Sequence, residues 1–142
     1  MITFNKVDIQ GKEFAYMEDA IENGVVSGDG KFSKKCNSLF MNELRIKKSL
    51  LTPSCTHALE MAAILLDIKP GDEVIVPSFT FVSTINAFVL RGAEPVFIDI
   101  RPDTLNIDEN QIEGLITPNT KAIIVVHYAG VGCEMNQILN IA

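Results

Sequence analysis

The 142-residue sequence contains no tryptophan, two tyrosines, two histidines and three cysteines. These scarcities exclude whole classes of protein. Cys36, Cys55 and Cys133 are odd in number and far apart, so they give neither a CxxC pair nor a disulfide framework, which fits a reducing, cytoplasmic setting. With only His57 and His127 to add, a structural zinc site has too few ligands. Long apolar runs are also missing. The longest, such as Ala122–Val126, are strand-length, well short of the roughly 18 to 20 residues of a membrane span. The opening MITFNKVDIQ lacks a basic region followed by an apolar stretch, so no signal peptide is expected. Positive charge is short too. Twelve Lys and Arg face 18 Asp and Glu, a net charge of -6, which argues against a nucleic-acid-binding surface. An acidic protein can still hold a phosphorylated ligand, but it needs a local device to do so.

What is present is an ordinary globular composition, 47% hydrophobic and 21% charged, in a chain long enough for one domain. Residues 12–23 space Phe14, Met17, Ala20 and Ile21 helically, and Gly24 can stop that helix. The loop Ser27-Gly-Asp-Gly30 follows, then a second helix over Phe32–Leu44 with Cys36, Leu39 and Phe40 on one face. Ser49–Thr52 reads as a short strand. From there helices and strands alternate. A helix over Cys55–Leu66 precedes the strand Glu73–Val76, ended by Pro77, and a helix over Thr80–Leu90 closes at Arg91-Gly92. Next come a strand over Pro95–Ile98, a short helix capped by Asp108 and running to Ile116, and the apolar strand Lys121–His127. A final helix starts near Glu134, and the apolar-periodic stretch to Ala142 has no C-cap signal, as if cut partway. Continuously apolar strands separated by helices predict an α/β fold of three layers, a mostly parallel sheet covered on both faces. There is no internal repeat, low-complexity segment or linker.

In such sheets ligands bind beyond the carboxyl ends of the strands. The segment Thr52-Pro-Ser-Cys-Thr-His57 opens a helix, whose free N–H groups and dipole favour an anion. The plainer reading is that Ser54 only caps the helix. Pro77–Phe81 carries Phe79 and Phe81, which could lie on a planar cofactor or pack in the core, and the pattern alone favours the core. Asp103 and Asp108 have structural explanations as turn and cap residues, leaving Asp99 open, while Lys34, Lys35, Lys47 and Lys48 read as solvated. The segment from Ala122 to Met135 offers Gly130-x-Gly132 after a strand. It is a partial dinucleotide fingerprint whose third glycine position is Met135, and His127 there fits a satisfied histidine as well as a functional one. There is no Ser-His-Asp arrangement, no P-loop and no metal-ligand constellation.

Taken in order, TPSCTHALEMA, GDEVIVPSFTFVSTINAF, RGAEPVFID, TLNID and AIIVVHYAG resemble the DegT/DnrJ/EryC1/StrS sugar aminotransferases over nearly the whole chain. The resemblance implies an aspartate aminotransferase-like fold and a pyridoxal 5'-phosphate cofactor. It implies that backbone amides at Thr56 and His57, beside Ser54, hold the cofactor phosphate, with the His57 side chain pointing away. It implies that Phe81 stacks on the pyridine ring, and that Gly28, Asp29, Gly30 and Lys31 lie near a nucleotide-sugar substrate, often that of a neighbouring subunit. The wording SGDGKF, TPSCT, SFTFVST and VHYAGVGCEM is closest to members that aminate a dTDP-linked 4-keto-6-deoxy sugar, with glutamate as donor, for enterobacterial common antigen. A homodimer is implied by the family. The family's covalent lysine and the acid facing its pyridine nitrogen lie downstream of VHYAG, and none of the nine lysines here matches that lysine. Residues 1–142 are therefore expected to be the N-terminal part of the cofactor-binding large domain, with 1–48 a helical segment and substrate-side loop and 49–142 the alternating portion. The full enzyme is expected to be a sugar-nucleotide transaminase and this 142-residue chain inactive alone, a fragment that self-associates; the further competing reading is a dinucleotide-binding module.

Overall fold

The computed structural model describes residue 3 and residues 6–142. The signal-peptide reading rests partly on positions 1, 2, 4 and 5, which lie outside the described residues. The chain divides into two compact units, Met1–Leu51 and Thr52–Ala142.

The first unit holds helices α1 (Glu13–Glu22) and α2 (Lys31–Glu43), close to the spans the apolar spacing predicts. Neither helix has a buried residue, and Phe14, Ile21, Leu39 and Leu44 are all exposed. Tyr16 and Phe32 join the two helices through a tilted ring pair with centroids 5.0 Å apart.

The second unit contains α3 (Cys55–Leu65), β1 (Glu73–Pro77), α4 (Ser83–Val89), β2 (Glu94–Ile98), α5 (Glu109–Ile112), β3 (Thr120–Ile123) and α6 (Met135–Ile141). Its sheet has the order β2-β1-β3, all parallel, with Val74 opposite Pro95 on one side and Ala122 on the other. Side chains alternate across the pleat, and the core splits accordingly. Val74 and Val76 pack with Ala63 of α3 and Ile85, Ala87 and Phe88 of α4. Ile75 and Ile98 pack with Ile112 of α5, Ile138 of α6, Ile107 and Cys133. Helices therefore cover both faces, the three-layer arrangement the apolar strands imply.

Several expected elements differ, each for a local reason. Ser49–Thr52 is not a strand: no neighbour pairs with it among the described residues, and Pro53 beyond it offers no N–H. The α4 helix begins at Ser83 rather than Thr80, because the Thr80 and Thr84 hydroxyls hydrogen-bond at 2.8 Å and the Thr84 N–H donates to Phe81 O, turning the chain before the helix. The expected helix to Ile116 becomes α5 followed by a 3-10 turn over Glu113–Leu115, and Ile116 is extended as Thr117-Pro118 approaches. The strand expected to run to His127 stops at Ile123, with one more bond from the Ile124 N–H to Ile75 O. On β1 the residues facing β3 alternate: Glu73, Ile75, then Pro77. Pro77 has no N–H to continue the ladder, so the chain beyond Ile124 leaves the sheet.

Gly92 sets the turn from α4 into β2. Its φ is +94°, and a Cβ there would lie 2.8 Å from Pro70 Cγ, so only glycine fits.

Candidate functional site

The α3 helix leads through a short turn into β1 and so runs antiparallel to it, which puts its N-terminus at the carboxyl edge of the sheet. The Ser78–Val82 loop leaves β1 at that same edge, and the segment after β3 leaves there too. The residues the sequence singles out in the second unit therefore gather along one edge, where parallel sheets bind ligands.

Ser54 caps α3 from extended backbone, accepting the His57 N–H at 3.2 Å. Its Oγ also lies 2.7 Å from His57 Nδ1. With the hydroxyl proton given to Nδ1, one oxygen accepts the backbone proton and donates its own, a reciprocal cap with histidine in the third helical position. The His57 side chain thus bends back onto the cap, contrary to the expectation that it points away. The reason is the acceptor nitrogen within reach of a hydroxyl that needs somewhere to place its proton. The N–H groups of Cys55 and Thr56 have no acceptor among the described residues, as the first turn of a helix requires, and they carry the positive end of the helix dipole. Of the two amides assigned to a phosphate by resemblance, Thr56 is free and His57 is engaged by Ser54. Ser54→Ala is expected to destabilise the second unit by about 1 kcal/mol, read as a lower midpoint in chemical denaturation.

Phe81 is 74% exposed and takes no part in either core cluster. The core-packing reading of this residue therefore fails. Phe79, half-exposed, instead pairs with Tyr128 at 5.2 Å between centroids, a tilted contact joining the loop after β1 to the turn after β3.

That turn, a 3-10 turn over Tyr128–Gly130, holds Ala129 at φ 49°, ψ 26°, and Gly130 at φ +82°. His127 Nδ1 accepts the Cys133 N–H at 3.1 Å, so His127 is exposed yet has a structural task. The dinucleotide reading of Gly130-x-Gly132 fails here. That fingerprint needs its first glycine in a tight turn directly after the strand and its third at the helix start, whereas β3 ends at Ile123, well before Gly130, and the third position is Met135.

Asp99 is exposed, and its carbonyl accepts the Asp108 N–H at 3.0 Å. Asp103 pairs with Arg101 at 2.8 Å, and Asp108 caps α5. The Arg101 hydrogen bond holds the Asp103 carboxyl below the ordinary carboxylate range, and the Gln111 amide does so for Asp108. Both therefore add stability above that range, and it is lost as pH falls through their lowered values. Among the described residues, no group of three or more His, Cys, Asp or Glu side chains converges on a metal site. No described helix is long and apolar enough to cross a membrane.

The lysines of this unit sit away from the edge. Lys69 lies in the turn before β1, paired with Asp67 at 2.6 Å, and Lys121 lies near the start of β3, both at the amino ends of strands. In the first unit, Gly28-Asp29-Gly30 is the loop before α2. Asp29 has φ 60°, Gly30 is the N-cap, and Lys31 is tied to Asp19 at 2.7 Å. Lys35 is not simply solvated: its ammonium sits 5.3 Å from the Phe32 ring centroid.

The feature that sequence reasoning misses is Asn106. It is 2% exposed, accepts the Tyr128 N–H at 2.9 Å, and donates to Val131 O at 3.0 Å. Its only local signal is a polar residue between Leu105 and Ile107.

The second unit thus combines a parallel sheet with helices on both faces, a helix N-terminus with free amides at Cys55 and Thr56, and the exposed Phe81 on the loop after β1. The chain matches the DegT/DnrJ/EryC1/StrS aminotransferase family over residues 7–142 and belongs to it. It is 37% identical over 134 residues to GDP-perosamine synthase of Caulobacter vibrioides, covering 94% of this chain and 36% of that protein. Among solved structures it is similar to Spr1654 of Streptococcus pneumoniae, named as a sugar aminotransferase and solved in its PLP form. The TM-score is 0.88 at 32% identity, over 99% of this chain and 36% of that one. It is also similar to 3-amino-5-hydroxybenzoic acid synthase, with a TM-score of 0.86 at 31% identity, over 94% of this chain and 35% of that one. The chain spans about a third of the length of these relatives.

Proposed function

We propose that the 142 residues are the front of the cofactor-binding large domain of an aminotransferase that uses pyridoxal 5'-phosphate and acts on a nucleotide-linked 4-keto-6-deoxy sugar. The observation that carries the cofactor reading is the pairing, on one sheet edge, of free first-turn amides at Cys55 and Thr56 with an exposed Phe81. These residues fit such a group. Thr56 N–H, joined by His57 N–H once the Ser54 hydroxyl turns to the ligand, would bind the phosphate with help from the helix dipole. Phe81 would lie against the pyridine ring and exclude water from one face. When bound, the cofactor supplies the electron sink for amino transfer.

The substrate reading is finer. It takes dTDP-4-dehydro-6-deoxy-D-glucose as acceptor, glutamate as donor, and cell-surface polysaccharide assembly such as that of enterobacterial common antigen as the setting. The protein would be a cytoplasmic homodimer, with Gly28, Asp29, Gly30 and Lys31 beside the sugar nucleotide. Support comes from the wording of the motifs and from a relative named for a GDP-linked product. None of the nine lysines matches the family's covalent lysine, and Lys69 and Lys121 lie at the amino ends of strands, so that lysine would come from outside these residues.

The test uses the full-length protein with pyridoxal phosphate, glutamate, and either the dTDP-linked or the GDP-linked 4-keto-6-deoxy sugar. Amination of the dTDP sugar with matched formation of 2-oxoglutarate is expected. Amination of the GDP sugar alone would overturn the nucleotide assignment, and amination of neither would overturn the sugar reading.

A further inference from the structure

Asn106 makes an unusual pair of bonds for a residue so far from any expected site. Its amide oxygen accepts the Tyr128 N–H at 2.9 Å and its amide nitrogen donates to Val131 O at 3.0 Å. One planar side chain therefore holds both ends of the turn that follows β3. Between those ends Ala129 sits at φ 49°, a left-handed conformation that a residue with a Cβ adopts only when its surroundings enforce it. Further bonds complete the turn: the Tyr128 N–H is shared with Val126 O at 3.0 Å, Gly130 N–H goes to His127 O at 3.2 Å, Val131 N–H to Tyr128 O at 2.9 Å, and Cys133 N–H to His127 Nδ1.

Asn106 is itself held in place. Leu105 before it is left-handed at φ 59°, its own N–H meets Thr104 Oγ1 at 3.3 Å, and its carbonyl accepts the Arg101 N–H at 2.8 Å. An antiparallel bridge between Ile100 and Ile107 closes this excursion after β2, and Arg101 bonds both Asp103 and Glu109 across it. Two strained non-glycine residues thus flank one buried amide. That is a costly arrangement unless the placement of the turn matters. What the turn places is Tyr128, whose ring meets Phe79, two residues from Phe81 in the loop after β1.

We propose that Asn106 is a positioning residue. By clamping the Tyr128–Val131 turn it fixes the Tyr128–Phe79 contact and so sets the loop that presents Phe81 to the cofactor. The clamp stands on its own geometry, while its consequence for the cofactor rests on the function proposed above. Asn106→Asp, read at a pH high enough to keep the carboxyl ionised, separates the two bonds, since a carboxylate still accepts the Tyr128 N–H but cannot donate to Val131 O. Asn106→Ala loses both.

The experiment uses the full-length protein with Asn106→Ala and Asn106→Asp. Amide hydrogen exchange, measured without cofactor, reads the clamp. Pyridoxal phosphate titration, followed by the circular dichroism of the bound cofactor, reads its consequence. In Asn106→Ala the Tyr128, Gly130 and Val131 amides are expected to exchange about tenfold faster, and the cofactor dissociation constant to rise about tenfold. In Asn106→Asp the Tyr128 amide stays protected, and affinity and dichroism fall between the other two. Unchanged exchange in Asn106→Ala would overturn the clamp. Faster exchange with unaltered affinity and dichroism would overturn the positioning role. If Asn106→Ala does not fold, the Gly130 and Val131 amides of Asn106→Asp, which loses the Val131 bond alone, are read instead: unchanged exchange there overturns the clamp, and faster exchange with unaltered affinity and dichroism overturns the positioning role. Wild-type protein that takes up no pyridoxal phosphate would overturn the cofactor reading and the positioning role with it, while the exchange arm would still decide the clamp.

Discussion

Ile75→Ala is expected to destabilise the chain by about 2–5 kcal/mol, the range for truncating a fully buried isoleucine. Ile75 is the middle residue of the central strand and has no exposed surface. It faces the layer formed by Ile112 of α5 and Ile138 of α6, so the lost methyl groups leave a cavity between sheet and helices rather than a dent in the surface. Its carbonyl also receives the Ile124 N–H, which closes the ladder to β3. Chemical denaturation of the chain measures the effect as a shift in midpoint at constant slope. The matched control is Phe97→Ala. Although larger, Phe97 is 57% exposed at the outer edge of β2, and its removal is expected to cost within about 0.5 kcal/mol. Equal losses at the two positions would contradict the three-layer core.

Phe81→Ala reverses that pattern. At 74% exposure the ring contributes little to folding, so the thermal midpoint should stay put. Its expected effect is on the cofactor. Covering an exposed ring with a stacked pyridine is worth roughly 2 kcal/mol, so the full-length variant should bind pyridoxal phosphate about thirty-fold more weakly. Phe81→Tyr should restore most of that loss, because the aromatic face is what matters. A variant that loses stability but keeps its affinity would return Phe81 to a packing role.

Much of the fold was legible in the residues. EVIV and the apolar helix Cys55–Leu65 are strong local patterns, and their alternation with further strands predicts a covered parallel sheet. Ser54 was legible as a cap because capping is a contact within four residues. What was not legible depends on partners distant in sequence or on groups a residue lacks. The segment after Ile123 keeps its strand-like composition, yet Pro77 on the neighbouring strand has no N–H to pair with it. Ser49–Thr52 has strand-forming residues and no described neighbour to receive them. Asn106 bonds residues 22 and 25 positions away, beyond the reach of any local pattern. The fold of His57 onto Ser54 was hidden for a different reason: both residues have ordinary roles alone, and only their rotamers join them.

The central claim is that the first turn of α3 and the loop after β1 together hold a flat, phosphorylated cofactor at one sheet edge. A crystal structure of the full-length protein with pyridoxal phosphate tests it most directly. The phosphate is expected within hydrogen-bonding distance of the Thr56 and His57 N–H groups, with the pyridine ring against Phe81. A phosphate bound elsewhere, or a ring that leaves Phe81 in solvent, would contradict it.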